Sequence, residues 1–187
     1  IHQNRPVGQA RIIQLLGHIR AMYQPYPQAK FESLNRDWWF QELAQHICLQ
    51  AESPPFVTDL TRVAALPSEA RTIYFLWMFE CEAGGSGIEV FLLEPHGVFT
   101  PQVHEALRLV GASELVERLE AGIPHALASG SAEFSASSDL AWFRQFHASP
   151  KFPTLQSVDA GISNLVGDSL RDKANAFIEA QKGVLVA

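Results

Sequence analysis

The chain has 187 residues, 47% of them hydrophobic and 18% charged, a globular balance that supports a sizeable core and excludes disorder over most of the length. Its formal net charge of −6 includes only four lysines, too few cations for a phosphate backbone, so direct nucleic-acid binding is excluded. Cys48 and Cys81 are too few for a disulfide framework, and no apolar run nears the ~20 residues of a membrane span, which together predict a cytoplasmic location.

Helical periodicity dominates, and it predicts one compact all-α domain over residues 1–187 with seven to nine helices. The opening Ile1-His2-Gln3-Asn4-Arg5 has neither an initiator Met nor a signal-peptide core, so a trimmed start is expected. Ile12, Leu15, Leu16, Ile19 and Met22 form one apolar stripe over Val7 to Tyr23, ended by Pro25 and Pro27. Asn35 is placed to cap a helix that runs to about Gln50, anchored by Trp38 and Trp39 and closed before Pro54-Pro55. Pro67-Ser68-Glu69 opens a third helix reaching about Glu82, whose apolar residues cover most of its circumference and predict a central position.

Gly84-Gly85-Ser86-Gly87 predicts a flexible turn, with Gly85 and Gly87 as its structural glycines, and a short helix follows through Ile88, Phe91 and Leu93 to Pro95 and Gly97. Thr100 as cap, Pro101 at the first helical position and Gly111 at the stop frame the next helix. Ser113 starts another, with Leu115, Val116 and Leu119 inward and Glu114, Glu117, Arg118 and Glu120 outward, expected to end at Gly122 and Pro124. The serines between 129 and 138 read as a loop, Ser138 or Asp139 caps a helix through Trp142 and Phe146, and a last helix lies within Asp159 to Lys182.

The negative charge is concentrated. Residues 69–139 hold eleven Asp and Glu against Arg71, Arg108 and Arg118, whereas each flank stands at +1. Such a local surplus attracts basic partners and speeds their encounter. The candidate partner-binding residues are therefore Glu80, Glu82, Glu89, Glu94, Glu114, Glu117 and Glu120.

Catalytic chemistry finds little footing. The seven histidines form no HxH or HExxH spacing and no metal site is assigned. Ser86 among glycines would need glycine at position 88 for a nucleophile elbow, and Ile88 stands there. Pairs such as Glu80 and Glu82, two apart on a helix, point to different faces and do not make an acid and base. No catalytic residue and no cofactor is assigned; an unrecognised hydrolase using Ser86 or the histidines is the weakest alternative.

Three runs carry a resemblance: Leu66-Pro67-Ser68-Glu69-Ala70-Arg71-Thr72-Ile73-Tyr74, Gly85-Ser86-Gly87-Ile88-Glu89-Val90-Phe91-Leu92-Leu93-Glu94, and Glu105-Ala106-Leu107-Arg108-Leu109-Val110-Gly111-Ala112. With Val158-Asp159, Leu170 and Ala176-Phe177-Ile178, they resemble a bacterial helical domain family that includes the nineteen-kilodalton DNA-mimic protein. The likeness covers about 66–180 and leaves 1–65 as an N-terminal helical extension. It departs where Gly85-Ser86-Gly87-Ile88 stands for the family's Asn-Gly-Gly-Phe turn and Glu94 for its usual Asn. The resemblance implies an all-helical, non-enzymatic protein that acts by binding other proteins, in one known case by presenting carboxylates as a duplex presents phosphates; the charge surplus makes a basic protein the expected partner.

Two partner classes follow. One is a toxin such as a nuclease, neutralised by an immunity protein; the other is a DNA-binding transcription regulator, sequestered by strict DNA mimicry. Residues 114–120 span about 9 Å of helix, over which duplex DNA carries roughly five negative charges. Glu114, Glu117 and Glu120 less Arg118 supply −2, so one helix falls short of a duplex.

Overall fold

The computed structural model describes residues 23–53, 57, 58, 60–146 and 151–187. The stripe expected over Val7 to Tyr23 lies outside them except for Tyr23 itself. The fold is all-α: the described residues add only an antiparallel pair, Glu52–Ser53 with Val57–Thr58, and a parallel bridge between Tyr26 and Val186. Short helical pieces raise the helix number above the seven to nine expected.

Helix α1 (Gln28–Ser33) leads through a 3-10 turn at Arg36–Trp38 into α2 (Trp39–Ala51), and α3 (Leu60–Ala65) follows the strand pair. Asn35 does cap, its Oδ1 accepting from the Asp37 amide at 3.3 Å. Of the two tryptophans expected as anchors, Trp39 packs on Phe31 with ring centroids 4.6 Å apart, but Trp38 is 53% exposed because the 3-10 turn rotates it off the buried face.

The centre is α4 (Ser68–Ser86), with Ile73, Tyr74, Leu76 and Phe79 fully or nearly fully buried. It packs against α2, α5 (Ile88–Leu93) and α6 (Thr100–Leu109), so its wide apolar surface meets a neighbour on several sides. The expected turn at 84–87 is corrected: the helix continues through Gly84 and Gly85, and the chain reverses at Gly87. A Cβ on Gly84 would stand 3.1 Å from Val166 Cγ1, so glycine there permits close packing rather than flexibility. At Gly97 a Cβ would meet the Leu92 carbonyl at 2.4 Å, which makes that glycine a requirement of the Pro95–Phe99 turn.

Gly111 ends α6 as expected. Its φ is 71°, its amide donates to Arg108, and the Ala112 amide donates to Leu107, the paired bonds of a Schellman stop. Thr100 departs from expectation: it is buried, and its hydroxyl donates back to the Gly97 carbonyl at 2.6 Å instead of capping forward.

Helix α7 (Ser113–Ala128) overruns its expected end, with Pro124 inside it. Proline forfeits one backbone bond, but Gly122 brings α7 so near α5 that a Cβ would lie 2.7 Å from Leu92 Cδ1, and the packing holds the helix together. The serine-rich loop contains a short α8 (Ala132–Ala136), and α9 (Leu140–Phe143) follows. The C-terminal helix is divided into α10 (Leu155–Val158), α11 (Ile162–Asn164), a π turn over Leu165–Ser169, α12 (Leu170–Ala180) and α13 (Lys182–Leu185). Gly161 at φ 76° and Gly167 at ψ −114° are where continuous helix fails.

The described residues before α4 share the core of the rest. Asn175 of α12 is buried and its Oδ1 accepts the Phe40 amide at 2.9 Å, and Tyr26 and Gln28 exchange backbone bonds with Leu185 and Ala187.

Candidate docking site

The seven candidate carboxylates meet different fates. Glu80 is corrected: it is 7% exposed, and its Oε1 accepts from Arg171 Nε at 2.5 Å while Oε2 is buried without a hydrogen-bond partner. A side chain so placed is not offered to a partner. The signal was present in the sequence, since Glu80 falls on the same helical stripe as Ile73, Leu76 and Ala83.

Glu82 is half-buried and accepts from His96 at 3.1 Å. Glu89 is half-buried and Glu94 exposed, and neither joins an ion pair among the described residues. Along α7 the expected outward row is present, but each member has a partner. Glu114 meets Arg118 at 3.3 Å, Glu117 meets Lys151 at 3.5 Å, and Glu120 meets His104 Nε2 at 2.7 Å. Glu105, which the sequence reading leaves out of the site, is exposed on α6.

One turn gathers carboxylates from two helices. Arg118 Nη1 donates to the Val158 and Ala160 carbonyls at 2.8 and 2.7 Å, while its Nη2 reaches Glu114. Between those carbonyls stands Asp159, whose Oδ1 accepts the Ile88 amide at 2.6 Å and the Glu89 amide at 3.3 Å. Asp159 thus caps α5 from 71 residues away, a role that sequence spacing could not show. Glu89 and Glu114 consequently flank the 158–160 turn, with Arg118 as the cation held between Glu114 and the two carbonyls.

Among the described residues, only Lys151 and Arg171 come from outside 69–139 to form ion pairs with its carboxylates. Lys173 reaches it too, but donates to the Gly111 carbonyl at 2.9 Å, compensating a helix end rather than a carboxylate. Arg118, itself within the stretch, makes two of its three hydrogen bonds to backbone carbonyls.

Burial raises the Glu80 carboxyl above its ordinary 4.5, and the Arg171 guanidinium only partly offsets this. A carboxyl raised in the fold contributes its stability fully below the unfolded value and loses it as pH rises through the folded one. Glu80→Gln has no such loss. Thermal unfolding should therefore show the melting temperature of Glu80→Gln rising relative to wild type between pH 4 and pH 7; a falling difference would mean that the Arg171 pair outweighs burial.

Among the described residues no group of three His, Cys, Asp or Glu could hold a metal ion, and no helix is long and apolar enough to cross a membrane. Ser86 is exposed at the last turn of α4. The features define an all-helical scaffold. A family model described as DMP19-like protein matches residues 64–181, close to the 66–180 marked by resemblance, and the chain belongs to that family. No curated protein and no solved structure matches it.

Proposed function

We propose that this protein is a non-enzymatic inhibitor that docks its carboxylates on the basic surface of a protein partner, acting in the cytoplasm as an immunity protein against a toxin such as a nuclease. The observation that carries the reading is the surplus left after internal pairing: Glu89, Glu94 and Glu105 carry no ion pair among the described residues, and Glu114 shares a cation engaged elsewhere. Family membership supports a protein-binding role of the DNA-mimic type. A nuclease groove that receives phosphates offers the complementary charge, and steering by the acidic stretch would raise the association rate.

The second reading, strict DNA mimicry toward a transcription regulator, draws its support from the family. The α7 row argues for a looser likeness, because its three carboxylates are each paired with Arg118, Lys151 or His104, whereas duplex phosphates stand open. DNA competing for the partner and a steep loss of affinity with salt would favour mimicry.

The test begins with a pull-down from the native host and proceeds to the purified partner. The triple variant Glu89→Lys, Glu94→Lys, Glu114→Lys is expected to associate at least about tenfold more slowly at low salt, with unchanged circular dichroism. Unchanged association and an unchanged salt slope would reduce these carboxylates to a solvated face.

A further inference from the structure

A second acidic feature lies along α7, beside Arg118. A groove of about 330 Å³ is lined by Glu117 and Glu120 of α7 and by Gln145, Phe146, Lys151 and Phe152. Its parts are fixed from behind. His104 is 8% exposed, lies edge-on to Trp142 and Phe146, and places Glu120 through the 2.7 Å bond. Since a carboxylate only accepts, Nε2 of His104 carries the proton. Phe152 is held through its carbonyl, which accepts from His125 Nε2 at 2.9 Å.

The groove already seats a cation. Lys151 Nζ stands 5.2 Å from the Phe152 ring centroid and 3.5 Å from Glu117 Oε2, and Arg118 lies 5.3 Å from the same ring. An ammonium on an aromatic face beside a carboxylate is the contact set that an incoming basic side chain would seek. Of the two carboxylates Lys151 pairs with Glu117, while Glu120 is bonded to His104 through Oε1 with its side chain 40% exposed.

We propose that this groove takes an arginine side chain of the basic partner, with Lys151 as an internal occupant that the arginine displaces. The inference rests on the protein-binding reading and adds to it a specific anchor. Arginine is favoured over lysine because Glu117 and Glu120 are three apart on one helix, about 5–6 Å between Cβ atoms. A planar guanidinium can span two such acceptors and still stack on a ring, which a point-like ammonium cannot. Gln145, which also lines the groove, is exposed.

Because the partner is unidentified, the probe is a capped Gly-Arg-Gly peptide, titrated into the isotope-labelled full chain and followed by amide chemical shifts, with citrulline and lysine peptides in parallel. Saturable shifts are expected at Glu117, Glu120, Gln145, Phe146 and Phe152, weaker with lysine and missing with citrulline. Lys151→Gln should tighten the arginine peptide about threefold and Glu117→Gln weaken it about threefold, both substitutions being at exposed pairs. Opposite signs from two mild surface changes separate an anchor from structural damage. Equal response to citrulline, shifts spread evenly over Glu89, Glu94 and Glu114, or no effect of Lys151→Gln would overturn the proposal. That failure would leave the slowed association of the α5 and Glu114 triple variant standing, so the two ideas fall separately.

Discussion

Gly87→Ala should lower the stability of the fold by about 3 kcal/mol, a fall in melting temperature of about 6–12 °C for a chain of this size. Gly87 has φ 94° and ψ 162°, a region essentially reserved for glycine. It closes α4 by donating to the Ala83 carbonyl and opens α5 by accepting from the Phe91 amide, so the conformation cannot relax without releasing one helix. A Cβ there would stand 2.4 Å from Asp159 Oδ2, and Asp159 is held in place by the amides it caps. Strain of about 1–3 kcal/mol and a lost cap of about 1 kcal/mol make up the expected figure. Gly85→Ala, two residues earlier, is the internal control: it is helical with open space around it, and alanine should be neutral or stabilising by about 0.5–1 kcal/mol. Denaturant unfolding of both variants checks the contrast, and a similar loss at both positions would contradict it. Asp159→Ala combined with Gly87→Ala should cost less than the sum, since both remove one contact.

The same region shows which parts of the fold were legible in the sequence. Elements whose start, stripe and stop are all local came through: Pro101, Val103, Leu107 and Gly111 describe α6 nearly to the residue, and the breadth of apolar positions in α4 announced its central place. What failed depended on distant partners. Proline 124 reads as a stop until Leu92 is seen packed against Gly122, and the helix then survives the missing bond. Four residues rich in glycine read as a turn, although Val166 packing on Gly84 and a cap delivered by Asp159 put the turn at Gly87 alone.

Charge followed the same rule. The sequence shows the acidic stretch with its members as equivalents, and burial divides them. Glu80 went inside to meet a cation 91 residues away, whereas Glu94 stayed in solvent. His104, one of seven histidines with no motif, turned out to orient Glu120, a role carried by geometry between α6 and α7 rather than by spacing.

Arg118→Met should cost about 2–3 kcal/mol and lower the melting temperature by about 4–12 °C, because it strips donors from two carbonyls while keeping the apolar stem. The Arg118 side chain is 13% exposed and its bond to the Val158 carbonyl is part-buried, where water replaces it poorly, whereas the bond to Ala160 is exposed. Its Nε is buried and unpartnered, a cost already accepted to place the guanidinium. The consequence should travel. Asp159 sits between the two released carbonyls, so loosening the turn weakens the α5 cap, and hydrogen exchange should show faster opening at Ile88 and Glu89, thirty residues from the substitution in sequence. Protection of those amides at the wild-type level would mean that the turn holds itself. The electrostatic effect runs in the opposite direction to the structural one: with Arg118 gone, Glu114 loses its cation and the 158–160 region becomes more negative. If the acidic stretch steers a basic partner, Arg118→Met should associate at least as fast as wild type at low salt while being less stable, a separation of stability from recognition that a merely damaged surface would not produce.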